Sequence, residues 1–127
     1  GAALSGKDPM RIDRVGAYIA RYAAKNVVAA KLARECEVQL SYSIGSADPV
    51  SIRVRTFASG EIDDAVIAES FQELNDFRPG GIVRDLGLKK QRYKCGGFYH
   101  KLAVYCQMGR SDIEPPWENT AIAGKLK

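Results

Sequence analysis

Cys36-Glu37-Val38-Gln39-Leu40-Ser41-Tyr42-Ser43-Ile44 is the stretch that decides the fold. Apolar side chains at 36, 38, 40, 42 and 44 alternate with polar ones at 37, 39, 41 and 43. That is the period of a half-buried strand. Just downstream, Ile52 and Val54 alternate with Ser51, Arg53 and Arg55, which predicts a second strand. The short loop Gly45-Ser46-Ala47-Asp48-Pro49 between them is consistent with an antiparallel hairpin. The apolar face should pack on a helix. The other face carries Glu37, Gln39, Arg53 and Arg55, which can pair across the strands.

Upstream, the pattern predicts one long helix from about Arg11 to Ala33. Val15, Tyr18, Ile19, Tyr22, Asn26, Ala29 and Ala33 recur at three- and four-residue steps and make one face. Arg14, Arg21 and Lys25 fall on another, predicted to be a solvated or interdomain surface. Downstream, Ser59-Gly60 is a turn, and a second helix is predicted from about Asp63 to Asn75, capped by Asp63 or Asp64. Its inward residues are Val66, Ile67, Phe71 and Leu74. Phe77-Arg78-Pro79-Gly80-Gly81 breaks it, and a short third helix follows from about Gly81 to Leu86. Tyr93 and Leu102 to Tyr105 are expected to anchor an extended tail. Trp117, after Pro115-Pro116, is expected to plug the core while only partly buried. These elements make an α+β fold: a small, mainly antiparallel sheet with helices packed on one face.

The 127 residues suit a single domain spanning 1–127. Apolar content of 46% and charged content of 27% are ordinary for a globular chain. The net charge of +4 is mild, and Lys and Arg are spread rather than run together. No nucleic-acid partner is therefore expected. No apolar run is long enough to span a bilayer, and no charged-then-apolar leader opens the chain, so no membrane association is expected. Cys36, Cys95 and Cys106 are odd in number and lack C-x-x-C spacing, and His100 is the only histidine. Three reduced thiols in the cytoplasm are the expectation, with Cys36 a small core residue and Cys95 more exposed.

The chemistry concentrates in Ser5-Gly6-Lys7-Asp8-Pro9-Met10-Arg11-Ile12-Asp13-Arg14. A loop with cations runs into a helix start, where backbone N–H groups lack helical partners and the dipole is positive. Such a place suits an anion. Lys7 and Arg11 could neutralise phosphate oxygens, and Asp13 could hold a metal or orient a cation. The plainer alternative is that Asp8 is an N-cap with Pro9 at the first helical position, and that Lys7, Arg11 and Arg14 are solvated charges.

Read as a longer string, Ser5-Gly6-Lys7-Asp8-Pro9, Asp13-Arg14, Ala17-Tyr18, Ala20-Arg21-Tyr22 and Ala24-Lys25-Asn26 resemble the C-terminal domain of S-adenosylmethionine synthetase. The likeness runs on through Cys36 to Gly45, Pro49-Val50-Ser51-Ile52, Phe77-Arg78-Pro79, Leu102 to Tyr105, Gly109-Arg110 and Pro116-Trp117-Glu118. It covers nearly the whole chain in order. It is most specific from Ser5 to Ile52 and looser past Leu88. The run Val104-Tyr105-Cys106-Gln107-Met108-Gly109-Arg110 stands where the family usually reads Ala-Tyr-Gly-His-Phe-Gly-Arg. With the longer leads at Cys95 to His100 and before Pro116, this implies a divergent branch.

The resemblance implies an α+β unit that the family repeats three times, and an activity: S-adenosylmethionine is formed from ATP and L-methionine, with release of phosphate and diphosphate. It implies Mg2+ and K+ as cofactors and a homo-oligomer, dimer or tetramer, whose sites are shared between subunits. Lys7 matches a lysine that contacts ATP phosphates, and Ala3 falls where the family backbone approaches the nucleotide. Arg11 replaces a lysine that contacts methionine and polyphosphate, keeping the charge on a wider fork. Asp13 matches an aspartate near the metal–polyphosphate cluster. The family's N-terminal and central domains have no counterpart here, so the chain alone is expected to be inactive. The alternative is a stand-alone, non-catalytic relative that acts as a partner-binding or regulatory subunit.

Overall fold

A computed structural model describes residues 3–94 and 96–126. A 3-10 turn, Leu4–Gly6, leads into helix α1, Ile12–Ala29. Strands β1, Glu37–Ser41, and β2, Ser51–Arg55, follow as an antiparallel hairpin. Helices α2, Asp64–Leu74, α3, Pro79–Asp85, α4, Leu88–Gln91, and α5, Phe98–Leu102, come next. Two 3-10 turns, Pro116–Glu118 and Ala123–Lys125, close the chain. The architecture is α+β.

The strands pair Glu37 with Arg55, Val38 with Val54 and Leu40 with Ile52. This register puts Val38, Leu40, Ile52 and Val54 on the helix side and Glu37, Gln39, Arg53 and Arg55 in solvent. α1 packs on β1, and α2 packs on β2. The expected cross-strand pairing appears as a loose Arg55–Glu37 contact of 3.9 Å. The predicted strand through Ile44 ends at Ser41, because the chain turns at Gly45 with φ of 92°. Tyr42 leaves the ladder to donate to the Phe77 carbonyl at 2.7 Å, and Ile44 is fully exposed.

α1 starts within a residue of the predicted position and ends four residues early, and each end has a local cause. At the start, Asp8 does not cap the helix. Its carboxylate accepts from the Met10 amide at 2.8 Å, which makes a side-chain turn, and the helix begins at Ile12. At the end, Lys31 adopts a left-handed φ of 61°. The Leu32 amide bonds the Val27 carbonyl at 3.2 Å and the Lys31 amide bonds that of Val28 at 3.0 Å. This pair of bonds is a Schellman stop with lysine where glycine is usual.

The buried face of α1 is also rotated from the prediction. Arg14, Val15, Tyr18, Ile19, Ala23, Asn26 and Val27 are inside, whereas Ala29 is exposed. In α2, capped by Asp63, the core residues are Ile67, Ala68 and Phe71. Val66 and Leu74 are exposed, since a two-stranded sheet covers only a narrow stripe of the helix. Tyr93 (75% exposed) and Tyr105 (87%) anchor nothing, and Val104 is exposed too; Leu102 is the residue of that segment that enters the core. Trp117 is completely buried, stacked on Tyr18 with ring centroids 3.6 Å apart. Cys36 is half-buried among apolar neighbours, and burial pushes its thiol up to about 11. Cys36 and Cys106 are free thiols, while the expectation for Cys95 lies outside the described residues. No helix is long and apolar enough to cross a membrane among the described residues.

Candidate functional site

The loop before α1 is held from three sides. Its own turn closes when the Gly6 amide bonds the Ala3 carbonyl at 3.2 Å and the Lys7 amide bonds that of Leu4 at 3.1 Å. The Lys7 ammonium then reaches the Asp13 carboxylate in the first turn of α1, at 2.8 Å. That hydrogen bond, with the charge of Lys7 behind it, holds the Asp13 carboxyl below its ordinary range. Beneath the loop, Arg14 Nη1 donates to the Lys7 carbonyl at 2.7 Å. Among the four residues singled out from sequence, Lys7 and Asp13 are in direct contact. Arg11 stands at the N-cap position of α1, exposed, and Ala3 is exposed at the head of the loop.

Arg11 and Asp13 open onto a groove of about 850 Å³. Its walls are α1, where Gly16, Ala17 and Ala20 leave room, and the hairpin, where Leu40 and Tyr42 face them. The site therefore has a cationic rim at a helix N-terminus and a mostly apolar flank. A helix start offers amide donors and a positive dipole to an anion. Lys7 and Arg11 add full charges at the same end.

Sequence reasoning missed two residues that shape this loop. Arg14 lies on the face predicted to be a solvated or interdomain surface, yet it is 2% exposed. Its Nε donates to the Tyr18 hydroxyl at 2.7 Å, and its guanidinium lies 5.0 Å from the Tyr99 ring centroid. The Tyr18 hydroxyl in turn donates to Gln107 Oε1 at 2.6 Å, and Gln107 Nε2 donates to Ser5 Oγ at 2.6 Å. The Arg14–Tyr18 pair was visible as an i, i+4 spacing. Gln107 lies far along the chain and carries no local signal.

Further along α1, Glu118 ties the Pro116–Glu118 turn to the helix. Its carboxylate accepts from Arg21 Nε at 2.9 Å, Lys25 Nζ at 2.6 Å and the Gly109 amide at 2.6 Å. Burial alone would raise this carboxyl, but the hydrogen bonds from Arg21, Lys25 and Gly109 more than offset it, and it sits at about 2. Arg21 and Lys25, on the face predicted to be a solvated or interdomain surface, are thus tethered within the chain. Trp117, next to Glu118 in the same turn, stacks on Tyr18 of α1.

The chain resembles known proteins over nearly its whole length. The family described as S-adenosylmethionine synthetase, C-terminal domain, matches residues 1–119. An S-adenosylmethionine synthase of Crocosphaera subtropica is 50% identical over all of this chain, and one of Gloeobacter violaceus is 49% identical. The chain spans 31% of the first and 30% of the second, so it is about a third of their length. The solved structure of an unusual S-adenosylmethionine synthetase from Campylobacter jejuni superposes with a TM-score of 0.90 at 35% identity, covering 99% of this chain and 32% of that one. With a match of this length and identity, the chain belongs to the S-adenosylmethionine synthetase family and corresponds to its C-terminal domain.

Proposed function

We propose that this chain is the C-terminal portion of a methionine adenosyltransferase. The enzyme would form S-adenosylmethionine from ATP and L-methionine and release phosphate and diphosphate. The observation that carries the reading is the Lys7–Asp13 pair at the N-terminus of α1, inside a chain that matches the family over residues 1–119. In this reading Lys7 and Arg11 receive the polyphosphate, with the Ala3 backbone alongside, and Arg11 also faces methionine. Asp13 orients the Lys7 ammonium until phosphate oxygens arrive. The chemical difficulty is a highly charged leaving group, and fixed cations at the place where that charge develops stabilise its departure. No protein nucleophile is required.

Mg2+ and K+ would assist the same charge. Among the described residues no group of three or more His, Cys, Asp or Glu stands close enough to hold an ion. Asp13 is already paired with Lys7, and the Asp8 carboxylate accepts from the Met10 amide. These residues do not make a metal centre by themselves, so no step of this reading runs through an ion held by this chain. The remaining ligands, and the groups that orient methionine against ATP, belong to the other two-thirds of the enzyme and to a second subunit of a cytoplasmic homo-oligomer. The chain alone is therefore inactive, because attack geometry is where much of the rate enhancement arises.

A chimaera tests this. Residues 1–127 would replace the matching third of the Crocosphaera subtropica synthase, and S-adenosylmethionine formation would be measured. The chimaera should be active, and Lys7→Ala should lower its turnover by about 10²-fold, the usual loss on removing one charge-stabilising donor. An active chimaera indifferent to Lys7→Ala would sink the assignment of Lys7.

A further inference from the structure

We propose that Gln107 and Arg14 are positioning residues for the Lys7 loop, fixing where the Lys7 ammonium stands. The inference rests on the reading of Lys7 as a polyphosphate-binding cation. Four hydrogen bonds run in one unbroken path: Ser5 Oγ from Gln107 Nε2 at 2.6 Å, Gln107 Oε1 from Tyr18 Oη at 2.6 Å, Tyr18 Oη from Arg14 Nε at 2.7 Å, and Lys7 O from Arg14 Nη1 at 2.7 Å. The path starts and ends on the loop, two residues apart, and passes through three buried side chains. The loop is thereby gripped at Ser5 and at Lys7, on either side of Gly6.

Two features show that this arrangement is held against its own cost. Arg14 is a buried cation with no carboxylate on its guanidinium among the described residues, and its Nη2 has no hydrogen-bond partner there. A buried charge without an ionic partner is unfavourable, and an apolar residue would serve the core better. What Arg14 does accomplish is to hold the Lys7 carbonyl and the Tyr18 hydroxyl together. The second feature is the turn that delivers Gln107. Tyr105 and Cys106 both adopt left-handed φ values, 62° and 73°, which disfavour non-glycine residues. Arg110 Nη1 props that turn from Cys106 O at 3.2 Å and Val104 O at 2.7 Å, and the Trp117 indole holds the Gln107 carbonyl at 2.9 Å. Strain of this kind persists where the surroundings over-determine it, and here they aim one amide side chain inward.

The experiment uses the whole 127-residue chain and two readouts. One is the NMR titration of the Asp13 carboxyl, which reports how closely Lys7 is held. The other is affinity for inorganic tripolyphosphate. Gln107→Met should move the Asp13 midpoint back towards that of an ordinary aspartate and weaken tripolyphosphate binding by about tenfold, the scale of one or two hydrogen bonds. Ser5→Ala cuts the same path at an exposed residue, leaves the core intact and should act in the same direction. Gln107→His keeps one donor and one acceptor and should restore both readouts. Thr56→Val breaks a part-buried hydrogen bond of 2.6 Å to Asp64, away from the loop, and should destabilise the fold without moving either readout. If Lys7→Ala weakens tripolyphosphate binding while Gln107→Met and Ser5→Ala change neither readout, the positioning role is overturned and the site stands. If Thr56→Val reproduces the Gln107→Met effects, the positioning role is overturned as generic destabilisation. If Lys7→Ala leaves tripolyphosphate binding unchanged, the reading of Lys7 fails; where the isolated chain gives no binding to read, the Asp13 titration alone decides whether Gln107 holds the loop.

Discussion

Glu118→Gln is the perturbation with the clearest expected magnitude. The Glu118 side chain is 7% exposed and accepts from Arg21, Lys25 and the Gly109 amide. Its carboxyl lies at about 2, against 4.5 for an ordinary glutamate. A depression of that size corresponds to about 3 kcal/mol of stability at neutral pH. Arg21 and Lys25 are about a third exposed, so solvent screening brings the expected loss on Glu118→Gln to about 2 kcal/mol. That is a fall in Tm of roughly 6–10 °C for a chain of this size. The sign with pH follows from the folded value lying below the unfolded one. The carboxylate's contribution is complete above about 4.5, declines as pH falls towards about 2, and is gone below it. Urea unfolding followed by the fluorescence of Trp117, the single tryptophan, measures both variants from pH 7 to pH 2. The difference curve isolates Glu118 from other acid-sensitive carboxylates. A variant within about 0.5 kcal/mol of wild type at pH 7 would refute the reasoning, because surface ion pairs give no more than that. So would a gap that stays constant down to pH 2.

Two further outcomes follow from local geometry. Lys31→Gly should stabilise the chain by about 0.5–1 kcal/mol in urea unfolding, because glycine takes the left-handed φ of 61° at the end of α1 without a Cβ clash. Cys106 should alkylate well before Cys36 when peptides are mapped after iodoacetamide at pH 8, since Cys106 is exposed while burial pushes the Cys36 thiol up to about 11. Equal rates would mean that Cys36 is not enclosed as described.

Periodicity located the elements but not their ends, and the reasons are specific. The alternation from Cys36 to Ile44 gave the hairpin and its inward face, because side-chain direction along a strand depends only on parity. It overran by three residues since Tyr42 and Ile44 keep the parity after the chain has left the ladder. The helical pattern up to Ala33 overran because alanine fits both the helix and the turn, and the stop was written in the φ of Lys31, a residue with no turn signature. Asp8-Pro9 looked like a helix start by composition. Asp8 instead satisfied the nearest amide, Met10, and that choice turns on a competition between two local hydrogen bonds that a residue pattern does not rank.

The site was legible in a different way. Lys7 and Asp13 were visible because both lie within the same ten residues, and a loop closing on a helix start brings such neighbours together. Arg14 shares its helical spacing with Arg21 and Lys25, which points to a solvated or interdomain surface, and arginine is seldom buried. The core nonetheless encloses it, through the hydroxyl of Tyr18 one turn along α1 and the amide of Gln107 from a turn near the other end of the chain. Neither partner alone predicts the burial. Tyr18 reads as a core aromatic and Gln107 carries no local signal, and only their meeting gives the guanidinium a place to sit. The parts of the site that touch a ligand in the proposed function are local and polar, so a sequence displays them. The parts that hold those groups still are assembled from distant segments, and the three-dimensional arrangement is what reveals them.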